Sequence, residues 1–191
     1  MNRRYTKTKR AEQQFETRQR IVEATVDLHT EVGPRRTTIS MIAERAGVQR
    51  HTVYAHFPDD RSLQMACSGH VLSNDPLPSP QDWQSVNDPS VRLREALEAL
   101  YRWYARNADL MANVVRDAEV LPITREVTEL RAGPAMQAIS DSVSGGLHAR
   151  SKAALALAMS FHSWRTLVVD EGIDQSEAVD LMVRTVLTAA A

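Results

Sequence analysis

Pro76, Pro78 and Pro80 fall within five residues, in Ser73-Asn74-Asp75-Pro76-Leu77-Pro78-Ser79-Pro80, and more polar residues and Asn87-Asp88-Pro89 follow. A proline lacks the backbone donor and clashes with the preceding turn, so no helix continues through such a run. The 191-residue chain is thereby split into a segment of about 72 residues and one of about 100. On either side the apolar spacing is helical and strand signals are absent. Ile21, Ala24, Thr25, Leu28 and Val32 share a face of a long first helix that Gly33-Pro34 ends. Two short runs follow, Ile39 to Ala46 and Arg50 to Phe57, then a helix capped at Pro58-Asp59 and carrying Leu63, Ala66 and Cys67.

Beyond the prolines, helices are expected over Val91–Asn107, Asp109–Val120, Ile123–Ser144 with a bend near Gly133-Pro134, Ser151–Glu171 and Gln175–Ala189. The fold class is all-α. From Ala153 to Phe161 the fourth of these carries no charge and is apolar around most of its circumference, so it must be covered nearly all round. The last helix has a similarly wide stripe. Either both lie in an internal core, or a second copy covers them as a four-helix bundle about a two-fold axis. On the dimer reading the interface residues are Leu155, Leu157, Met159, Val179, Val183 and Val186.

Composition narrows the class. With 43% hydrophobic and 25% charged residues, the chain has the profile of a soluble globular protein. The single Cys67 leaves no internal disulfide and no multi-cysteine zinc site. No run approaches the roughly 18 apolar residues that span a bilayer, and no signal-peptide core follows the basic MNRRYTKTKR start. The expectation is a reduced, cytosolic protein that does not bind membranes. Net charge is −1, but residues 1–72 carry +4 and the remainder −5, with seven Lys/Arg in the first twenty residues. A basic end on an acidic body points to a polyanion bound at one end.

The stretch Thr37 to Phe57 has the form of a helix-turn-helix. Thr38 can cap the first helix, and Ile42, Ala43 and Ala46 give it an apolar underside. Gly47 supplies the backbone freedom of a tight turn, and Val48 plugs the angle. Val53 and Phe57 anchor the second helix, leaving Arg50, His51, Thr52, Tyr54 and His56 around its outer face, where donors can meet base edges or phosphates.

Residues 17–72 resemble the DNA-binding domain of the TetR family of transcriptional regulators. The pattern consists of a long first helix ending in Gly33, then Thr38-Ile39, Ile42-Ala43, Ala46-Gly47-Val48, Thr52-Val53-Tyr54, His56-Phe57 and Leu63. The rest of the chain resembles that family only in helix count, length and its two apolar closing helices. The resemblance implies a bacterial, nucleoid-associated homodimer on double-stranded operator DNA. Such a protein is usually a repressor, released when a small molecule enters the C-terminal domain. It also implies that Thr38, Ser40, Arg50, His51, Thr52, Tyr54 and His56 fall where members contact DNA. Chemically, Arg50 suits guanine, while Thr52 and Tyr54 suit phosphates and His51 either role. Position 60, often lysine in the family, is here Asp60, which would repel a phosphate. Arg61 can replace that lysine, or Asp60 can serve the helix N-terminus.

The implied organisation is a basic arm over 1–12, a helix-turn-helix domain over 13–72, a linker over 73–90 and a ligand-binding and dimerisation bundle over 91–191. The arm, Arg3 to Arg10, would add salt-dependent, unspecific affinity along the backbone or minor groove. Pocket candidates for an unknown effector are Trp103, Tyr104, Met111, Arg116, His162, Trp164 and Arg165, and the aromatic content points to an apolar or aromatic ligand. Core packing is the competing reading for the aromatics, and surface exposure or pairing with Asp170 or Glu171 for Arg165. No cofactor or metal is expected. Cys67-x-x-His70 offers two ligands without a second pair, and no nucleophile elbow, zinc-protease motif or phosphate loop occurs, so catalysis is not expected. A DNA-binding or architectural protein without an effector switch is the alternative.

Overall fold

The computed structural model describes residues 3–189, with side chains from residue 9. Among them there are helices and turns but no strand. The helices are α1 (Arg3–Glu31), α2 (Ile39–Ala46), α3 (Arg50–His56), α4 (Asp60–Asn74), α5 (Pro89–Arg106), α6 (Ala108–Ala118), α7 (Pro122–Val143), α8 (Ala149–Ala158), α9 (Phe161–Trp164) and α10 (Gln175–Thr188). Among the described residues, no helix is long and apolar enough to cross a membrane.

The chain forms two compact units. One comprises the residues up to Asn74 together with Asp109–Arg131, and the other Asp75–Ala108 and the residues from Ala132 onward.

In the first unit, Ile21, Val22, Ala24 and Leu28 of α1 meet Ile42, Ala43 and Ala46 of α2, Val53 of α3 and Leu63 and Cys67 of α4 in one buried cluster. The buried Thr25 hydroxyl donates to the Ile21 carbonyl at 2.7 Å, so this core carries no orphan there. Residues 3–12, expected as an arm, are the opening turns of α1, and Lys9 and Arg10 are exposed on it. The side chains of Arg3, Arg4 and Lys7 lie outside the described residues.

Polar contacts tie Asp109–Arg131 to this unit. Asp117 of α6 is buried, and its Oδ2 accepts from the Arg35 backbone N–H at 2.9 Å. Its Oδ1 accepts from Arg116 Nε at 2.8 Å, and Asn113 donates to the Thr30 carbonyl at 2.7 Å. Gly33 sits under this network with φ of +89°, and a side chain there would collide with the Arg116 guanidinium and Asp117 carboxylate.

In the second unit α5, α8 and α10 pack together around Leu97, Leu100, Tyr101, Leu155, Val179 and Val186, all at most 1% exposed. The expected continuous helix over Ser151–Glu171 is interrupted. α8 stops at Ala158, Ser160 is extended and caps α9 by accepting from the His162 N–H, and a wider π-type turn runs over Arg165–Asp170. The carbonyls freed at this break are not left bare. Tyr101 donates its hydroxyl to the Ala158 carbonyl at 2.9 Å and Tyr104 to the Met159 carbonyl at 2.6 Å. The segment 73–90 also holds a buried anchor, Trp83, whose indole N–H donates to Ser142 Oγ at 2.9 Å.

Candidate nucleic-acid interface

The geometry of α2 and α3 follows from a few local devices. Thr38 caps α2 with extended backbone, and its hydroxyl oxygen accepts from the Met41 N–H at 3.3 Å. Gly47 closes the helix at φ +65°, ψ +40°, with its own N–H donating to Glu44 and the Val48 N–H donating to Ala43. That pair of bonds is the left-handed closure glycine favours, and it turns the chain directly into α3. Arg20 of α1 adds a bond to the Ala46 carbonyl at 3.3 Å, and Arg18 lies 4.6 Å over the Phe57 ring.

α3 is thereby fixed from below. Val53 is fully buried and Phe57 2% exposed, while Arg50, His51 and Ala55 are exposed and Tyr54 is 50% exposed. Thr52 and His56 are half-buried at the edges of that face. Among the described residues no carboxylate lies within ion-pair distance of Arg50. Thr38 and Ser40 are exposed on α2; the Thr38 oxygen serves as cap, which leaves its O–H free to donate. Arg45 is committed elsewhere, in a two-point pair with Glu31 at 2.8 Å for each bond.

At the start of α4 it is Asp59 that caps, accepting from the Ser62 N–H at 2.7 Å. That bond, with the Ser62 hydroxyl, holds the Asp59 carboxyl below its usual range. Asp60 occupies the first helical position, where its charge suits the helix N-terminus. Arg61 donates to Glu126 at 2.8 Å, both side chains being 52% exposed. Ala55 and Gln49 were not singled out from the sequence, yet both are exposed beside the same face. A methyl such as that of Ala55 is the group that meets a thymine methyl.

The effector candidates divide between the units. Trp103, Tyr104 and Trp164 are buried in the second unit, where Tyr104 stands 5.4 Å from the Phe161 ring and 5.9 Å from Trp164. The Trp103 indole donates to the Asp75 carbonyl at 3.0 Å, whereas the buried Trp164 indole N–H has no partner among the described residues. His162 and Arg165 are exposed, with Arg165 at 3.7 Å from Asp170. Met111 and Arg116 belong to the first unit, and Arg116 is spent on Asp117, Asn113 and the Val32 carbonyl. Of the dimer candidates, Leu155, Met159, Val179, Val183 and Val186 are buried by the chain's own packing, while Leu157 is 54% exposed. Leu187, part of the apolar stripe of the last helix, and Leu181 of α10, which sequence periodicity did not single out, are also exposed.

Cys67 is buried, and that burial pushes its thiol up to about 12, so it carries no thiolate at neutral pH. Among the described residues no group of three His, Cys, Asp or Glu side chains is placed to hold a metal ion.

Residues 21–63 match the family described as "Bacterial regulatory proteins, tetR family". The HTH-type transcriptional regulator BetI of Yersinia pestis (strain Pestoides F) is 34% identical over 83 residues, 42% of this chain and 42% of its own length. The match to that relative thus spans less than half of its length. A TetR family transcription regulator from Marinobacter aquaeolei VT8 has the same fold, with a TM-score of 0.62 at 20% identity over 94% of this chain and 97% of that one. A TetR-like transcriptional regulator from Rhodococcus sp. RHA1 gives 0.65 at 17% identity over 91% and 95%.

Proposed function

We propose that this chain is a member of the TetR family of transcriptional regulators and acts in the cytoplasm as a homodimeric repressor that a small-molecule effector releases from a two-fold symmetric operator. The observation that carries the reading is the outer face of α3. Arg50, His51 and Tyr54 project from a helix whose inner face, Val53 and Phe57, is locked into the core. A reading head must be rigid, because a side chain misplaced by an ångström loses its base contact. Arg50 is assigned to guanine through two parallel hydrogen bonds, Thr52, Tyr54, Thr38 and Ser40 to phosphates, and His51 and His56 to either.

Dimerisation is assigned to the exposed apolar positions of α8 and α10. Leu157, Leu181 and Leu187 are 54%, 37% and 44% exposed, and a second copy would take them out of water. The effector is assigned to the aromatic cluster of the second unit. There the unspent Trp164 donor favours a largely apolar ligand carrying one hydrogen-bond acceptor. Two half-sites about one helical turn apart tolerate little error, so an effector that changes the spacing of the two recognition helices weakens binding.

Selection from random-sequence duplexes at near-physiological salt tests the reading. An enriched two-fold symmetric motif supports it. Salt-sensitive retention without any motif would replace it with an unspecific, architectural role.

A further inference from the structure

The first unit contains a cleft of about 190 Å³ that none of the α3 residues lines. It lies between the helix-turn-helix and the α6–α7 corner, with Ile42 of α2, Leu63 of α4 and Leu121 of the corner among its walls. The size excludes a drug-sized ligand, for which pockets begin at roughly 300 Å³.

Of the polar side chains that line this cleft, His29, Arg35, Asp60 and Gln64 make no side-chain hydrogen bond among the described residues. His29 of α1 is 8% exposed, and its ring makes no hydrogen bond among the described residues. Burial drives its pKa down to about 4 against the opposing pull of Asp117, so the ring stays neutral and offers one donor and one acceptor. Arg35 gives only its backbone N–H to Asp117. Among the described residues no carboxylate pairs with its guanidinium, and no cation pairs with the Asp60 carboxylate. Two opposite charges thus line one cleft unpaired, beside a neutral imidazole. A lone anion would be repelled by Asp60 and a lone cation by Arg35. The complementary occupant carries both signs on a short apolar body.

We propose that this cleft binds a small aliphatic zwitterion with the chemistry of a free branched-chain amino acid. Its carboxylate meets Arg35, its ammonium meets Asp60, its side chain lies on Ile42, Leu63 and Leu121, and His29 supplies a hydrogen bond. Such a ligand bridges α2 of the helix-turn-helix and the α6–α7 corner. The site is separate from the aromatic cluster of the second unit and does not depend on an effector binding there.

Calorimetric titration of the full chain with L-leucine, N-acetyl-L-leucine and L-leucine amide tests it, repeated with Asp60→Asn and Arg35→Gln. Both variants change exposed side chains, and circular dichroism checks that they fold. Saturable leucine binding is expected, weakened at least tenfold by loss of either ligand charge and by either substitution. No saturable heat at millimolar leucine overturns the proposal. Equal affinity for the three compounds, or unchanged affinity in both variants, overturns it as well.

Discussion

Arg61 Nε donates to Glu126 Oε1 at 2.8 Å, so the cation beside Asp60 is held by a carboxylate of α7. Both partners are half exposed, and pairs of that kind contribute about 0–1 kcal/mol, so a phosphate can compete for the arginine. Glu126→Gln is predicted to strengthen operator binding about twofold to tenfold at low salt and to steepen the salt slope by about one phosphate contact. Fluorescence anisotropy across a salt series measures both. An unchanged slope removes Arg61 from the DNA contacts.

His29 sets a pH window for stability. Its pKa is lowered from 6.5 to about 4 in the folded chain, mainly by burial, while Asp117 pulls it up. Between those values the unfolded ring binds a proton that the folded ring refuses. The contribution is therefore fully present above pH 6.5 and is lost as the pH falls towards 4, to a ceiling of about 3 kcal/mol. Asp117 acts at lower pH. Its burial raises the carboxyl, but the bonds from Arg116 and the Arg35 N–H outweigh that and leave it lowered, so its contribution is lost as acid passes below 3.8. Urea unfolding near pH 7 and near pH 5 should show a falling midpoint for the wild type and a clearly smaller fall for His29→Gln. Equal falls would assign the acid sensitivity elsewhere.

The helix-turn-helix is legible in the sequence because its determinants are local. Thr38 caps three residues away, Gly47 takes the left-handed turn that glycine tolerates, and Val53 and Phe57 lie one turn apart. The break after Ala158 is not legible from Ala-Leu-Ala-Leu-Ala-Met, which propagates a helix well. It is held by the hydroxyls of Tyr101 and Tyr104, 57 and 55 residues away in the chain. Ser160 ahead of His162 is the one local cue, an N-cap inside an apolar run. The place of α6 was hidden for a similar reason. Its ties to the first unit are Asn113 and Asp117 bonding backbone groups more than eighty residues away, and hydrophobic spacing does not register such polar contacts. An all-round apolar helix cannot reveal which face a neighbour in the same chain takes; the structure gives Leu155 to the internal core and leaves Leu157 outside.

That division separates two substitutions, one on α8 and one on α10. Leu157→Glu places a charge on a 54% exposed position, so the chain should keep its helical circular dichroism while sedimentation shows a dimer weakened at least tenfold. Val183→Glu buries a charge at a 4% exposed position and should abolish the folded state itself. A Leu157→Glu protein that remains as dimeric as the wild type would place the interface elsewhere.

The claim that the outer face of α3 reads sequence is tested most directly at Arg50. Anisotropy titrations of wild type and Arg50→Ala should be run on the selected duplex, on versions with each base pair changed, and on an unrelated duplex. The account predicts that Arg50→Ala loses about 1–3 kcal/mol on the selected site and relaxes the preference at one guanine, with unspecific affinity nearly unchanged. An identical base preference with affinity lowered equally on every duplex would contradict it, and would make Arg50 a phosphate contact.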